Sequence, residues 1–240
     1  MSKNKKDYQH IGILSAMPEE IGVILDNLKR IHSFKFGDLE VFTGEFYLNN
    51  SEKILISTAW SGWGKVSAAR ATTRLLSINN TRNIPIDLIL FTGVAGAVAN
   101  HLKQWDIVIA ESVIQHDMDA RPLFDKYVIP ALKKDKIFSN KLFINDLYIS
   151  LKEKLEVQEL RNFGNIYRGL IATGDMFISK RVKIEQLSRE ICGLLAVEME
   201  GAAFAQVARQ ENIDWIIIRV ISDGANENAH DDFNDFLKKY

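Results

Sequence analysis

Short aliphatic runs punctuate this chain, and between them apolar residues recur every three to four positions. The first pattern predicts buried strands and the second amphipathic helices. Residues 11–16 form the first run and lead into Met17-Pro18-Glu19-Glu20. Pro18 suits the first turn of a helix, and Ile21, Ile24, Leu25 and Leu28 follow at helical spacing. Residues 39–47 and 53–59 predict two strands joined as a hairpin around Asn49-Asn50. Ser61-Gly62-Trp63-Gly64-Lys65 opens a helix over 66–78. Strands follow over 86–91, 106–114 and 169–173, and helices over 142–155 and 182–191. Segment 121–140, with Pro122 and Pro130, is the least regular. Residues 194–197 are a strand-length apolar run, Phe204, Val207 and Ala208 mark a helix to 212, and 215–221 is the last strand. Strands alternating with helices predict an α/β fold. No internal repeat or low-complexity linker divides the chain. The expectation is a disordered leader over 1–10 and one domain over 11–240.

The strand ends share a chemistry. They read Met-Pro-Glu-Glu, Ser-Gly-Trp-Gly, Thr-Gly-Val-Ala-Gly, Gly-Asp-Met-Phe, Val-Glu-Met-Glu and Ile-Ser-Asp-Gly, each rich in glycine, acids or hydroxyls. Glycine lets a backbone bend sharply or approach a ligand. In open α/β sheets ligands bind outside the carboxyl ends of strands, so six such endings imply one shared crevice. The glycines do not follow P-loop or dinucleotide spacing, and no Gly-x-Ser-x-Gly elbow occurs.

Composition narrows the partners. A net charge of −1 over 240 residues gives no electrostatic case for nucleic acid or an anionic membrane. The apolar fraction of 47% is ordinary for a globular chain. No apolar stretch approaches the ~20 residues that span a bilayer. A polar start followed by a short run at 11–17 does not make a signal peptide, so a cytoplasmic protein is expected. The single Cys192 excludes an intrachain disulfide and reads as a small buried hydrophobe. No His/Cys set has zinc spacing, so no metal is expected.

What remains is acid chemistry. Glu19, Glu20, Glu198, Glu200 and Asp223 come from three strand ends. A carboxylate against a core is costly unless paired or working, although acids also suit a helix N-terminus. Two separated carboxylates are what glycosidic hydrolysis needs: one takes a proton from water and the other donates one to the leaving group. Phe177 offers a ring to stack on a planar leaving group such as a purine. The residues alone therefore suggest a hydrolase or transferase acting on a small, uncharged, partly planar substrate.

Ala16-Met17-Pro18-Glu19-Glu20, Ser61-Gly62-x-Gly64-Lys65-Val66, Thr92-Gly93-x-Ala95-Gly96, Gly174-Asp175-x-Phe177-Ile178, Val197-Glu198-Met199-Glu200 and Arg219-x-Ile221-Ser222-Asp223 occur in that order. Together they resemble the 5′-methylthioadenosine/S-adenosylhomocysteine nucleosidases of the purine nucleoside phosphorylase superfamily. The resemblance implies a single domain with a central twisted mixed sheet flanked by helices. It implies cleavage of the N-glycosidic bond of 5′-thioadenosines without a cofactor, and a homodimer. In that frame Glu20 activates water, and Asp223, set by Ser222, protonates the purine. Glu200 holds the ribose 2′-hydroxyl and Met199 packs under the sugar, with Glu198 and Arg219 among the substrate-binding set. Phe177 stacks on adenine and Ile178 offers its backbone to it. Met17 and Phe233 line the 5′-alkylthio pocket, and Phe124 and Pro130 cross to the partner's pocket.

The chain departs from that pattern in places. Trp63 stands where the family usually has a smaller aliphatic residue beside the 5′ substituent, and Val94 replaces a small hydroxyl residue near the purine. Arg121 either pairs with the carboxylate of a homocysteine tail or is a solvated surface arginine. His116 and His230 read as hydrogen-bonded structural histidines. The rival readings are a phosphorylase or a hydrolase of another 5′-modified nucleoside within the superfamily, and a catalytically silent nucleoside-binding protein.

Overall fold

The computed structural model describes residues 8–21, 23–49, 52–225 and 229–237. In chain order the elements are β1 (His10–Ser15), α1 (Pro18–Ile21), α2 (Ile24–Asn27), β2 (Lys29–Phe36), β3 (Leu39–Tyr47), β4 (Lys53–Trp60), α3 (Lys65–Thr81), β5 (Leu88–Ala97), β6 (Ile107–Gln115), β7 (Lys136–Phe138), α4 (Lys141–Glu156), β8 (Ile166–Thr173), α5 (Arg181–Glu190), β9 (Leu194–Glu198), α6 (Gly201–Gln210), β10 (Asp214–Asp223) and α7 (Ala229–Leu237). All strands belong to one mixed sheet, ordered β10-β6-β8-β9-β5-β1-β4-β3-β2, with β7 on β6. Strand β5 also pairs with β10, so five strands curl back on themselves.

The curl creates the crevice. Strands β1, β4, β5 and β10 run parallel as one set, and β6, β8 and β9 as another. The sets meet where β5 and β9 pair antiparallel through Gly96 opposite Val197 and Ala97 opposite Ala196. Those positions are the carboxyl ends of both strands, so the two sets face each other with their ligand-binding edges.

Helices α3 and α6 pack together over the sheet. Ala68, Ala71, Ala202, Ala205 and Ala208 are fully buried in that layer, and such small residues let two backbones approach. Leu75 and the edge-to-face pair Phe91–Phe204, 5.3 Å between ring centres, fill the space beneath. Each large side chain buried this way contributes about 1.5–3 kcal/mol. Helix α4 starts at Asn140, whose side chain accepts from the Leu142 and Phe143 amides and satisfies two exposed donors.

Several elements differ from the expectation. The helix after Pro18 is two one-turn pieces, α1 and α2, and the sequence between them contains Gly22, a poor helix former by about 1 kcal/mol. Strand β2 lies in a stretch with no expected element. It is an edge strand whose residues are mostly exposed, so it lacks an alternating apolar face, and its lysines suit an unpaired edge. Strand β7 orders part of 121–140. Strand β5 continues past Phe91 because β10 keeps pairing with it as far as Gly96. Cys192 is exposed, not buried: it sits in the turn with Gly193, whose φ of 78° carries the chain from α5 to β9. Of the expected leader, residues 1–7 lie outside the described residues. Tyr8 packs edge-on against Phe143, and the Gln9 and His10 amides bond the Asp87 carboxylate.

Candidate active site

One crevice of about 590 Å³, open to solvent, lies where the two strand sets meet. Met17, Glu20, Trp63, Val94, Phe177, Ile178, Glu198, Met199, Glu200, Ser222, Asp223 and Phe233 all line it, together with Ala16, Ala95, Gly96, Met176 and Val197. The residues come from the ends of β1, β5, β9 and β10, the loops after β4 and β8, and helix α7.

Glu20 is held by its own helix start. It sits in the first turn of α1 and reaches back to the Ala16 and Met17 amides at 2.8 and 2.9 Å through Oε2. A carboxylate in this place satisfies donors that a helix start leaves free. Its Oε1 accepts from the Val94 amide at 3.1 Å, tying β1 to β5. Burial pushes the Glu20 carboxyl above its ordinary range, while Arg219 and the three amides pull it back. The result is a fixed oxygen pair that lines the crevice.

Behind that wall lies a charge cluster. Arg219 on β10 is fully buried and ion-pairs with Glu198. It approaches Glu200 at 3.7 Å. Burial opposes its charge, but Glu198, Glu200 and Glu20 around it keep it firmly protonated. Glu198 is satisfied by its own chain. Besides Arg219, it takes the Glu200 amide at 3.1 Å, the Gly201 amide at 2.7 Å and the Thr173 hydroxyl, thereby capping α6. Glu200 keeps more freedom: Oε1 accepts from the Gly64 amide at 2.9 Å. Burial, then the charge of Glu198, pushes its carboxyl up to about 7. One guanidinium cannot neutralise three carboxylates, so one of them takes a proton near neutrality. Gly93 makes the cluster possible. A Cβ there would come within 2.2 Å of Arg219 Nη1 and 2.5 Å of Glu20 Oε1.

Asp223 ends β10 at the opposite wall. Ser222 Oγ donates to it at 2.7 Å, and the Ala225 amide donates to its other oxygen at 2.7 Å. Burial is the largest influence and raises its pKa; the two donors oppose this. Ser222 is itself anchored, since Gln104 Nε2 donates to its carbonyl at 2.7 Å.

The mouth is aromatic. Phe233 of α7 stands edge-on between Trp63 at 6.4 Å and Phe177 at 6.1 Å. Trp63 is 56% exposed and Phe177 40%. Trp63 lies between Gly62 (φ 79°) and Gly64 (φ 91°), conformations that an L side chain rarely adopts. The Lys65 amide donates to Asp175 at 2.7 Å, which fastens this loop to the one bearing Phe177.

Some expected site residues lie elsewhere. Arg219 does not line the crevice; it is the counter-charge beneath it. Arg121 is a surface residue, 60% exposed in its side chain and chelated by Asp119 at 2.8 and 2.5 Å, so no free guanidinium faces the crevice of its own chain. Phe124 and Pro130 lie in the irregular segment away from the crevice. His116 is buried, but its Nε2 has no partner among the described residues, unlike the satisfied histidine expected. His230 is exposed, 3.4 Å from Asp231. The sequence assigns no role to the supports Thr173, Asp175 and Gln104. Asp175 stands inside the Gly174-Asp175-x-Phe177-Ile178 motif, and that position is the one signal that points to it. Among the described residues no three His, Cys, Asp or Glu side chains converge as metal ligands, and no helix is long and apolar enough to cross a membrane.

Residues 10–240 match the phosphorylase superfamily. Among solved structures, the 5′-methylthioadenosine/S-adenosylhomocysteine nucleosidase of Streptococcus pneumoniae, bound to a transition-state inhibitor, is 33% identical, with a TM-score of 0.81 over 96% of this chain and 92% of that one. The S-adenosylhomocysteine nucleosidase of Streptococcus pyogenes, with 5-methylthiotubericidin, is 31% identical, with a TM-score of 0.82 over 98% and 92%. The Neisseria meningitidis nucleosidase, with methylthio-immucillin-A, is 27% identical, with a TM-score of 0.83 over 96% and 92%. The sequence match along the whole described fold, and the crevice that gathers its acids, place this chain in the phosphorylase superfamily and, within it, in the 5′-methylthioadenosine/S-adenosylhomocysteine nucleosidase family.

Proposed function

We propose that the chain hydrolyses the N-glycosidic bond of 5′-methylthioadenosine and S-adenosylhomocysteine, releasing adenine and the 5′-thioribose. The observation that carries this reading is the convergence of Glu20, Glu200 and Asp223, from three distant strand ends, on one crevice that also holds Phe177. Adenine lies against Phe177, with the Ile178 backbone at its edge. Asp223, whose pKa burial raises, gives its proton to N7 as the C1′–N9 bond breaks and its electrons enter the purine. The sugar becomes cationic in the transition state. Glu20 and Glu200 stabilise it from fixed positions, which lowers the barrier because no reorganisation is needed at that moment. Water then adds to C1′ and yields its proton to Glu20. Met199 packs under the ribose, Val94 borders the purine, and Met17, Trp63 and Phe233 take the 5′ substituent. Ser222 positions Asp223, and Glu198 with Arg219 positions Glu200.

A phosphorylase would need a free cation for phosphate. Here the guanidinium closest to the reacting end is committed to Glu198, and this favours water. We further propose a cytoplasmic homodimer in which Phe124 and Pro130 reach the partner's 5′ pocket; a symmetric pair is the commonest assembly. The deciding assay offers methylthioadenosine, adenosylhomocysteine, adenosine and inosine, with and without phosphate. Adenine release from the two thioethers, independent of phosphate, is expected. Strict dependence on phosphate, or no release from either thioether, overturns the assignment. Light scattering that shows a monomer with full activity removes the dimer.

A further inference from the structure

We propose that Trp105 is a positioning residue for the 5′ end of the crevice, seating helix α7, and with it Phe233, against the strand that carries Asp223. The proposal rests on the reading that this crevice takes 5′-thio nucleosides. Trp105 does not line the crevice. Its φ is 74°, a left-handed conformation that bulky residues avoid. Such an outlier costs free energy and persists only where the surroundings impose it.

The surroundings here are specific. The Trp105 amide donates to the Ile221 carbonyl at 2.9 Å, and its carbonyl accepts from Gly164 at 2.8 Å. The Ile221 amide donates to Asp106 at 2.8 Å, and Gln104 grips the Ser222 carbonyl. The turn is thus clamped to β10 immediately before Asp223. The indole lies 4.2 Å from the Phe236 ring at 33°, with Phe163 edge-on at 6.4 Å. Phe236 is almost completely buried by this packing. It sits three residues after Phe233, so the two are neighbours on α7. One ring is fixed under the turn and the other projects between Trp63 and Phe177. A shift of Phe236 therefore moves Phe233 with it. Glycine would relieve the backbone, so the ring is what a tryptophan supplies here.

The test measures kcat and KM for methylthioadenosine, and inhibition by adenine, which occupies the purine end alone. Trp105→Gly is expected to raise KM about tenfold and to leave kcat within about threefold, the loss of one well-made aromatic pair. Adenine inhibition stays at the wild-type level, Trp105→Phe restores KM, and Phe236→Ala reproduces Trp105→Gly with no added loss in the double variant. If Trp105→Gly does not fold, Phe236→Ala set against Trp105→Phe carries the same comparison. An unchanged KM, or kcat, KM and adenine inhibition moving together, overturns the proposal and leaves the nucleosidase assignment standing. A wild-type chain that cleaves neither thioether overturns both.

Discussion

The inner end of the crevice and its mouth are built by opposite means. At the inner end Glu20, Glu198, Glu200 and Arg219 are buried, and amides, a hydroxyl or each other hold their polar atoms, apart from Arg219 Nε. At the mouth Trp63, 56% exposed, and Phe177, 40% exposed, meet the ring of Phe233 edge-on. The first region is finished before any ligand arrives, so its cost falls on folding. The second has apolar surface still to cover, so its gain comes with binding. Changes at the inner end should therefore appear in kcat and in stability. Changes at the mouth should appear in KM and in choice of substrate, with the fold untouched.

The largest effect expected is on turnover. Glu20→Gln and Asp223→Asn should each lower kcat at least ~10²-fold, the usual value of a general base or acid step. Steady-state assay on methylthioadenosine checks this. An Asp223→Asn variant with near-normal kcat would mean that the acid lies elsewhere and that the inner end is only a binding surface.

The next effect is on the fold. Arg219→Leu leaves three buried carboxylates without their cation. Breaking a buried pair in this way typically costs about 3–5 kcal/mol. Denaturant unfolding should show that loss for Arg219→Leu, against less than about 1 kcal/mol for Phe177→Ala, whose ring is partly exposed. Equal losses at the two places would erase the contrast.

The two regions also differ in how far the sequence reveals them. Hydrophobic period exposes the long elements: α3, α4, α5 and the buried strands, β5 apart, lie within a few residues of where the pattern places them. The acids are legible because glycine and carboxylates at strand ends are costly without a purpose. Strand β2 is not legible, because an edge strand with exposed faces carries no periodic signal. Nor is the true place of Arg219, since its partner Glu198 is 21 residues away and no local pattern joins them. The clasp from Lys65 to Asp175 spans 110 residues and arises only when β4 and β8 are brought to one crevice. Spacing reports what an element buries, whereas the pairing of ends depends on topology.

A pH effect of intermediate size separates the regions further. The folded pKa of Glu200, about 7, lies above its ordinary 4.5. Between those values the folded chain binds more protons than the unfolded one, so this group makes stability fall as pH rises. Its contribution is fully present below the ordinary value and lost as pH passes the folded one. Glu200→Gln mimics the protonated form and should flatten that decline, leaving the variant roughly 1–3 kcal/mol more stable than wild type at pH 8, while lowering kcat. Chemical unfolding from pH 5 to 8 checks the sign. A variant that loses stability steadily in parallel with wild type would show that Glu200 is ionised throughout.

The smallest expected effect belongs to the mouth and tests it most directly. Trp63 presents an indole edge to Phe233 and leaves more than half its surface uncovered. A flat apolar face suits a compact methylthio group, while its bulk takes up volume that a homocysteine tail requires. The glycines on either side give the loop its conformation, so replacing the side chain between them should leave the backbone in place. Trp63→Ile should therefore raise kcat/KM for adenosylhomocysteine relative to methylthioadenosine by about threefold to tenfold, in line with the ~0.5–1.5 kcal/mol that aromatic contacts contribute. Arg121→Ala is the control, because Asp119 already chelates the guanidinium at the surface; the ratio should stay at its wild-type value. If Trp63→Ile also leaves the ratio unchanged, the indole does not border the 5′ substituent. If Arg121→Ala lowers it instead, the tail is held by charge and not by shape, and the mouth is then a second electrostatic region.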